Sequence, residues 1–211
     1  MGFPLDWLTP CAWVGWVERE PLALLADHAH CELKAATTAQ ALIAKNPEQR
    51  LLVRELGEVA IEEMQHFVRV VGELYARGGE LGAQDENPYA ARLHAASTPT
   101  RTSLFLDRLV IAHLIEARSL ERFHLLAHHL SDPALRDLYR ELLPSEAAHQ
   151  GLYVRLAREA FPADVVLRRI AELRAREGEV IAGLAFEHRV HSGIVGAPSI
   201  PPLDAPAGVQ G

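Results

Sequence analysis

The chain has 211 residues, 49% of them hydrophobic, enough to bury one full core, so a single domain is expected. Its formal net charge of -7 excludes indiscriminate nucleic-acid binding but leaves room for a local basic face. Two cysteines, Cys11 and Cys31, cannot build a disulfide framework; the N-terminus carries no basic segment followed by an apolar run, and no apolar run reaches membrane-spanning length, so a soluble cytoplasmic protein is expected.

After a lead-in bearing Trp7, Trp13 and Trp16, a first long helix is expected from near Pro21 to about Lys45. Asn46-Pro47 is a cap-and-start signal for the second, which Gly78-Gly79 ends. The stretch from Glu80 to Pro99 holds the turn formers Asp85-Glu86-Asn87-Pro88 and one short helix around Tyr89 to Ala95; it is a long crossover that covers one end of the bundle. A third helix follows from about Thr102 to Leu130, Ser131-Asp132-Pro133 starts the fourth, and Phe161-Pro162 stops it. A fifth, from about Ala163 to His188, is rich in alternating charge and is expected to pack outside the other four. Gly and Pro dominate from Ser192 onward, so residues 1–190 form the predicted bundle and 191–211 an irregular or disordered tail. Pro144 interrupts the fourth helix and allows two readings, a kink within one helix or a helix that begins at Pro144 itself.

Two copies of one motif stand out along these helices: Glu63-Met64-Gln65-His66 and Glu146-Ala147-Ala148-His149. A three-residue step is close to one helical turn, so Glu and His leave the same face and can reach one metal ion. Each motif is preceded by a lone acid, Glu32 by 31 residues and Glu116 by 30, whereas the gap from Glu63 to Glu116 is 53. Two similar hairpins joined by a longer crossover result, which is the plan of an all-α, ferritin-like four-helix bundle with a carboxylate-bridged di-metal centre.

Helical phase selects the inward acids. Leu52, Leu56, Val59, Glu63, His66, Val70 and Leu74 form one stripe, which leaves Glu62 on the wet side. The corresponding stripes are Leu22, Leu25, Ala29, Glu32, Ala36, Ala39 and Ile43; Phe105, Leu109, Ala112, Glu116, Leu120 and Phe123; and Leu138, Leu142, Glu146, His149, Tyr153 and Leu156. Four buried acids at matching depth call for compensating cations. Carboxylate-rich ligation with one imidazole per ion suits iron or manganese better than zinc, iron first. His113, one turn before Glu116, is expected to be a core or surface histidine, and His128-His129 to be exposed. Of the 21 basic residues only Lys34 and Lys45 are lysines; the arginine excess suits phosphate forks, but a GC-rich coding sequence produces the same bias and is the favoured explanation.

Asp27-His28-Ala29-His30-Cys31-Glu32-Leu33-Lys34-Ala35-Ala36, Glu62-Glu63-Met64-Gln65-His66-Phe67, Ser145-Glu146-Ala147-Ala148-His149 and above all Ile115-Glu116-Ala117-Arg118-Ser119-Leu120-Glu121-Arg122-Phe123 resemble the bacterial tRNA 2-methylthio-isopentenyl-adenosine hydroxylases. The resemblance spans roughly Leu5 to Phe161; Pro144 departs from the family pattern. It implies a non-haem di-iron monooxygenase with two iron ions and dioxygen as co-substrate, hydroxylating the isopentenyl group of a modified adenosine beside the tRNA anticodon. It further implies bridging Glu63 and Glu146, terminal Glu32 and Glu116, and one imidazole per ion from His66 and His149. Two electrons must come from a ferredoxin or flavoprotein reductase, and a monomer or dimer is expected. His28, Arg118, Glu121 and Arg122 are candidates for holding the ligands in orientation, the last three equally an ordinary surface charge ladder. The competing reading is a ferritin- or rubrerythrin-like ferroxidase or peroxidase, although two separated cysteines cannot supply a four-cysteine rubredoxin site.

Overall fold

The structure is a computed structural model that describes residues 3–83, 87–97 and 100–198. Its helices are α1 (Ala12–Val17), α2 (Pro21–Lys45), α3 (Arg50–Ala76), α4 (Pro88–His94), α5 (Arg101–His129), α6 (Pro133–Ala160) and α7 (Ala163–Ala182). No named strand occurs among the described residues. α2 pairs with α3 and α5 with α6, the two hairpins meet through α3 and α6, and α7 lies outside against α4, α5 and α6. α4 sits in the crossover; Asp85 and Glu86 of its expected turn lie outside the described residues, as does 199–211 of the expected tail. Among the described residues no helix is long and apolar enough to cross a membrane.

Local chemistry sets the ends. Pro21, Pro88 and Pro133 begin their helices, where a missing N–H costs nothing, and the Asp132 side chain accepts from the N–H groups of Ala134 and Leu135. The second long helix starts at Arg50, three residues later than Asn46-Pro47 suggests, because Asn46 first closes a turn in which its carbonyl accepts from the Gln49 N–H. α6 runs unbroken through Pro144, so the helix does not begin there. Pro144 and Arg140, whose carbonyl has no proline N–H to accept from, are both on the exposed side of the helix. The tryptophan lead-in contains a short helix, α1, that the sequence pattern did not reveal.

The core lies in two apolar blocks with the carboxylates between them. Along α3 the buried order is Leu52, Leu56 and Val59, then Glu63, then Val70 and Leu74; on α6 it is Leu138 and Leu142, then Glu146, then Tyr153 and Leu156. α2 and α5 repeat the plan around Glu32 and Glu116. On α2 the expected stripe needs adjustment at both ends: Leu22 is exposed, while Leu24 and Leu42 are buried. A 25-residue helix drifts in phase across a straight stripe, so the extremities are where periodicity misplaces residues.

The fifth long helix ends at Ala182, not His188, with Gly183 at its C-cap. Residues 184–197 then fold back, closed by an isolated bridge between Ala185 and Val195. Gly193 has no room for a side chain there, since a Cβ would meet the Leu184 carbonyl. The segment is packed through residue 192, beyond the expected boundary at 190, with Val190, His191 and Ser192 buried. A buried electrostatic cluster fixes it. Arg118 Nε and Nη2 donate to the two Glu177 oxygens, each at 2.9 Å, and its Nη1 reaches Glu121 at 3.0 Å. Arg122 donates from Nη1 to the Val190 carbonyl at 3.0 Å and from Nη2 to the Ser192 carbonyl at 2.9 Å, while Glu121 accepts from the N–H and hydroxyl of Thr9. N-terminal strap, α5, α7 and C-terminal loop are thereby locked together. Removing one partner of a buried pair strands the other charge. Glu177→Ala is expected to destabilise the fold by about 3–5 kcal/mol, and thermal unfolding checks it, at roughly 2–4 °C per kcal/mol for a chain of this size.

Candidate metal centre

The four long helices deliver their acids to one level. One ligand atom each from Glu32, Glu63, His66 and Glu146 lies within 4.8 Å of the others, and so it does for Glu63, Glu116, Glu146 and His149. Glu63 and Glu146 belong to both groups, so two adjacent ion positions would share two carboxylates. All six sequence-selected ligands are brought together, and five are buried; His66 is partly buried.

The donor set fits a pair of cations. Glu63 Oε1 and Oε2, His66 Nδ1 and His149 Nδ1 are buried and make no hydrogen bond. Yet His149 Nδ1 stands 2.8 Å from Glu63 Oε1 and His66 Nδ1 3.4 Å from Glu63 Oε2. Close approach without hydrogen-bond alignment is expected of lone pairs directed at a shared cation. The outer ring nitrogens are engaged instead, His66 Nε2 with Ser145 Oγ at 3.2 Å and His149 Nε2 with Glu62 Oε2 at 2.7 Å, which orients each Nδ1 inward. Glu62, placed on the wet side by phase, is half-exposed and still serves the site by holding His149.

Charge crowding is visible in the proton affinities. Burial, with Glu146 and Glu63 nearby, raises Glu32 well above the usual carboxylate range, and burial with Glu116 and Glu63 does the same to Glu146. Burial and the Glu63 charge raise Glu116 to about 8. Burial would raise Glu63 too, but the imidazoles of His149 and His66 and the carboxyl of Glu32 outweigh it and hold Glu63 below the usual range. On His149 burial opposes the charge, but Glu63 and Glu116 prevail and raise it to about 9.

Of the residues expected to orient the ligands, only His28 touches one: its Nε2 is 2.5 Å from Glu32 Oε1, and its ring stacks on Tyr139 at 5.3 Å between centroids. Burial and the nearby His66 lower His28 to about 3, so it approaches Glu32 as a neutral imidazole. Arg118, Glu121 and Arg122 are neither ligand supports nor a surface ladder; they are buried and bind Trp7, Thr9, Glu177 and the C-terminal loop, as above. His113 is a core histidine whose Nδ1 pairs with the Gln150 carbonyl at 2.9 Å.

A cavity of about 710 Å³ opens onto the carboxylates from one side. Its buried end is Glu32, Glu116 and Glu146, with Tyr153 and Phe123; its wall is largely aliphatic, with Leu42, Ile111, Ala112 and Ile115. The lining also carries four basic side chains, the exposed Lys45 and His94 and the partly buried Lys34 and Arg108, so both lysines of the chain line this one cavity. His66 and His149 do not line it.

A family model described as tRNA-(MS[2]IO[6]A)-hydroxylase (MiaE) matches residues 4–192, a span that takes in all six clustered ligands and the packed loop through Ser192. The chain belongs to this family. Two relatives named tRNA 2-(methylsulfanyl)-N(6)-isopentenyladenosine(37) hydroxylase are similar to it. One, from Pseudomonas putida, is 37% identical over 88% of this chain and 90% of its own length; the other, from Salmonella typhimurium, is 28% identical over 90% and 87%. Among solved structures, a Synechococcus protein with aldehyde deformylating oxygenase activity matches with a TM-score of 0.86 and 36% identity, covering 92% of this chain and 97% of that one. The fold is therefore ferritin-like, as the spacing of acids suggests.

Two outcomes follow for the isolated protein. Because Glu32, Glu116 and Glu146 carry raised proton affinities, loading divalent ions at neutral pH releases protons and binding tightens as pH rises, which calorimetry in buffers of different ionisation enthalpy reads directly. Glu63→Ala is expected to lose both ions, since Glu63 belongs to both positions, whereas Glu62→Ala weakens one ion by about 10–100-fold through misorientation of His149. Metal titration of the two variants separates these effects.

Proposed function

We propose that this chain is a non-haem di-iron monooxygenase that hydroxylates the isopentenyl group of the hypermodified adenosine beside the tRNA anticodon. The observation that carries the reading is the cavity: its lining joins three acids of a cluster that fits two cations to both lysines of a chain of net charge -7. Membership of the hydroxylase family supports the same substrate class.

Glu63 and Glu146 would bridge two iron ions, with Glu32 and His66 completing one coordination sphere and Glu116 and His149 the other. The chemistry available there, with dioxygen, two electrons and two protons, is insertion of one oxygen atom into a C–H bond with release of one water. The remaining work belongs to the chain. Leu42, Ile111, Ala112 and Ile115 form an apolar slot for a branched alkyl arm and keep bulk water from the acids. Lys34, Lys45 and Arg108 in the lining meet the phosphates on either side of the nucleoside, which is how a protein of net charge -7 binds a polyanion through one local face. Ser145 and Glu62 hold the imidazoles from behind. A ferredoxin or flavoprotein reductase supplies the electrons in the cytoplasm, and since one chain carries the full ligand set, a monomer suffices.

Iron storage or peroxide scavenging needs no cavity of this size with basic side chains in its lining. An aldehyde, suited to the activity of the Synechococcus neighbour, would use the apolar wall and leave the lysines without a task. Incubation of the reduced, iron-loaded protein with isopentenylated tRNA under labelled dioxygen is expected to place one labelled oxygen atom on the isopentenyl group, read by nucleoside mass spectrometry. Unlabelled nucleoside from a preparation with an intact, reducible di-iron spectrum would overturn the reading. Lys34→Ala and Lys45→Ala are each expected to weaken tRNA binding across sequences and to lower the salt slope by about one.

A further inference from the structure

His191 lies one residue past the expected end of the folded domain, yet it is buried, and it lines the cavity. Its placement is unusually well determined. The carbonyls of its two neighbours, Val190 and Ser192, are both gripped by the Arg122 guanidinium. The Val190 N–H donates to Asp27 Oδ2 at 2.8 Å, and Ser192 Oγ accepts from Trp13 Nε1 at 3.4 Å. Trp13 in turn lies under the Arg122 guanidinium, 4.2 Å from carbon to ring centroid. The chain is thus clamped on both sides of one residue, and the side chain between the clamps is the one that enters the cavity wall.

Inside the wall the imidazole is stacked on Tyr89, with centroids 4.9 Å apart and planes 12° from parallel, and Tyr89 lines the cavity as well. The Tyr89 hydroxyl donates to Glu177, the same acid that forks Arg118, so both rings of the stack are fixed by one buried cluster. His191 Nε2 pairs with Ser119 Oγ at 3.1 Å, while Nδ1 has only a long contact to Cys31 Sγ at 3.7 Å. Burial, with Arg122 and Arg118 nearby, lowers the imidazole to about 3, so it is a neutral ring at working pH and does not add to the positive charge of the lining.

We propose that the Tyr89–His191 pair is the ring-reading wall of the cavity, against which the purine of the modified nucleoside stacks while its alkyl arm reaches toward Glu32, Glu116 and Glu146. This rests on the reading of the cavity as a nucleoside site given above. The aliphatic wall recognises an alkyl chain and the lysines recognise phosphate, but neither distinguishes a flat aromatic base from a non-aromatic group between them; a stacked, neutral aromatic pair does. The specific Arg118, Glu121 and Arg122 segment then has its task, which is to hold a substrate-binding residue on the C-terminal loop and not a metal ligand.

The test uses the full-length, iron-loaded protein and the free nucleoside N6-isopentenyladenosine, which carries no phosphate. Equilibrium dialysis gives its dissociation constant, and steady-state assays give KM and kcat. His191→Ala is expected to weaken nucleoside binding and raise KM by roughly tenfold, the effect of losing one stacked base, with kcat within about twofold. His191→Phe keeps the stack and is expected to stay within about threefold of the unaltered chain in both constants. Iron content and the thermal transition are measured on all three proteins. Unaltered binding in His191→Ala overturns the proposal and leaves the functional reading standing. Equal loss in the Ala and Phe variants also overturns it, because the stack would then not be the contact. Failure of the unaltered, iron-replete protein to bind the nucleoside at all overturns both this proposal and the substrate assigned above.

Discussion

Four carboxylates at one level of an apolar bundle cannot all stay ionised without cations among them, and the architecture is organised around that repulsion. Burying an unpaired charge costs several kcal/mol, so Glu32, Glu63, Glu116 and Glu146 together would undo the packing of the blocks above and below them if nothing compensated. Two of the acids, placed to be shared, and two imidazoles with inward-facing nitrogens supply the donors that a compensating pair of cations would need. The helices supply rigidity: each acid follows, by about one turn, a buried aliphatic residue, Ala29, Val59, Ala112 or Leu142, which fixes its backbone before any ion arrives.

A second buried charge cluster does something different. Arg118, Arg122, Glu121 and Glu177 balance one another without metal, and their fork geometry suits planar, bidentate pairing. They tie together segments from both ends of the chain, Thr9 near one and Val190 to Ser192 near the other. One cluster fits ions; the other positions chain. Both draw on α5, whose residues 116 to 122 carry one acid for the first and three charges for the second, all within two turns.

The clustering of the six candidate residues was legible because its parts are local: a three-residue step on a helix fixes relative direction, and the inward phase follows from the aliphatic residues on the same stripe. Contacts across long sequence separations were not legible. Glu62 was placed on the wet side correctly, but its partner, His149, is 87 residues away and nothing in the periodicity of α3 announces it. The roles of Arg118, Glu121 and Arg122 escaped for the same reason, since three- and four-residue spacings look identical on a solvated face and beneath a covering loop. That loop was itself misread. Once Gly183 ends α7, its order depends on Gly193, Asp27, Arg122 and Trp13, partners with no shared pattern in sequence.

The two sides of the acid layer are not equivalent. The cavity meets Glu32, Glu116 and Glu146, while the imidazoles stand away from it, steadied by Ser145 and the half-exposed Glu62. The centre therefore has a front and a back. A carboxylate offers two oxygens and can swing between one-point and two-point attachment, whereas an imidazole offers one inward nitrogen in one direction. Whatever enters by the front encounters three carboxylates able to rearrange, while the two imidazoles, which cannot, are anchored behind with Glu63, so registration is kept on the face away from the entrant.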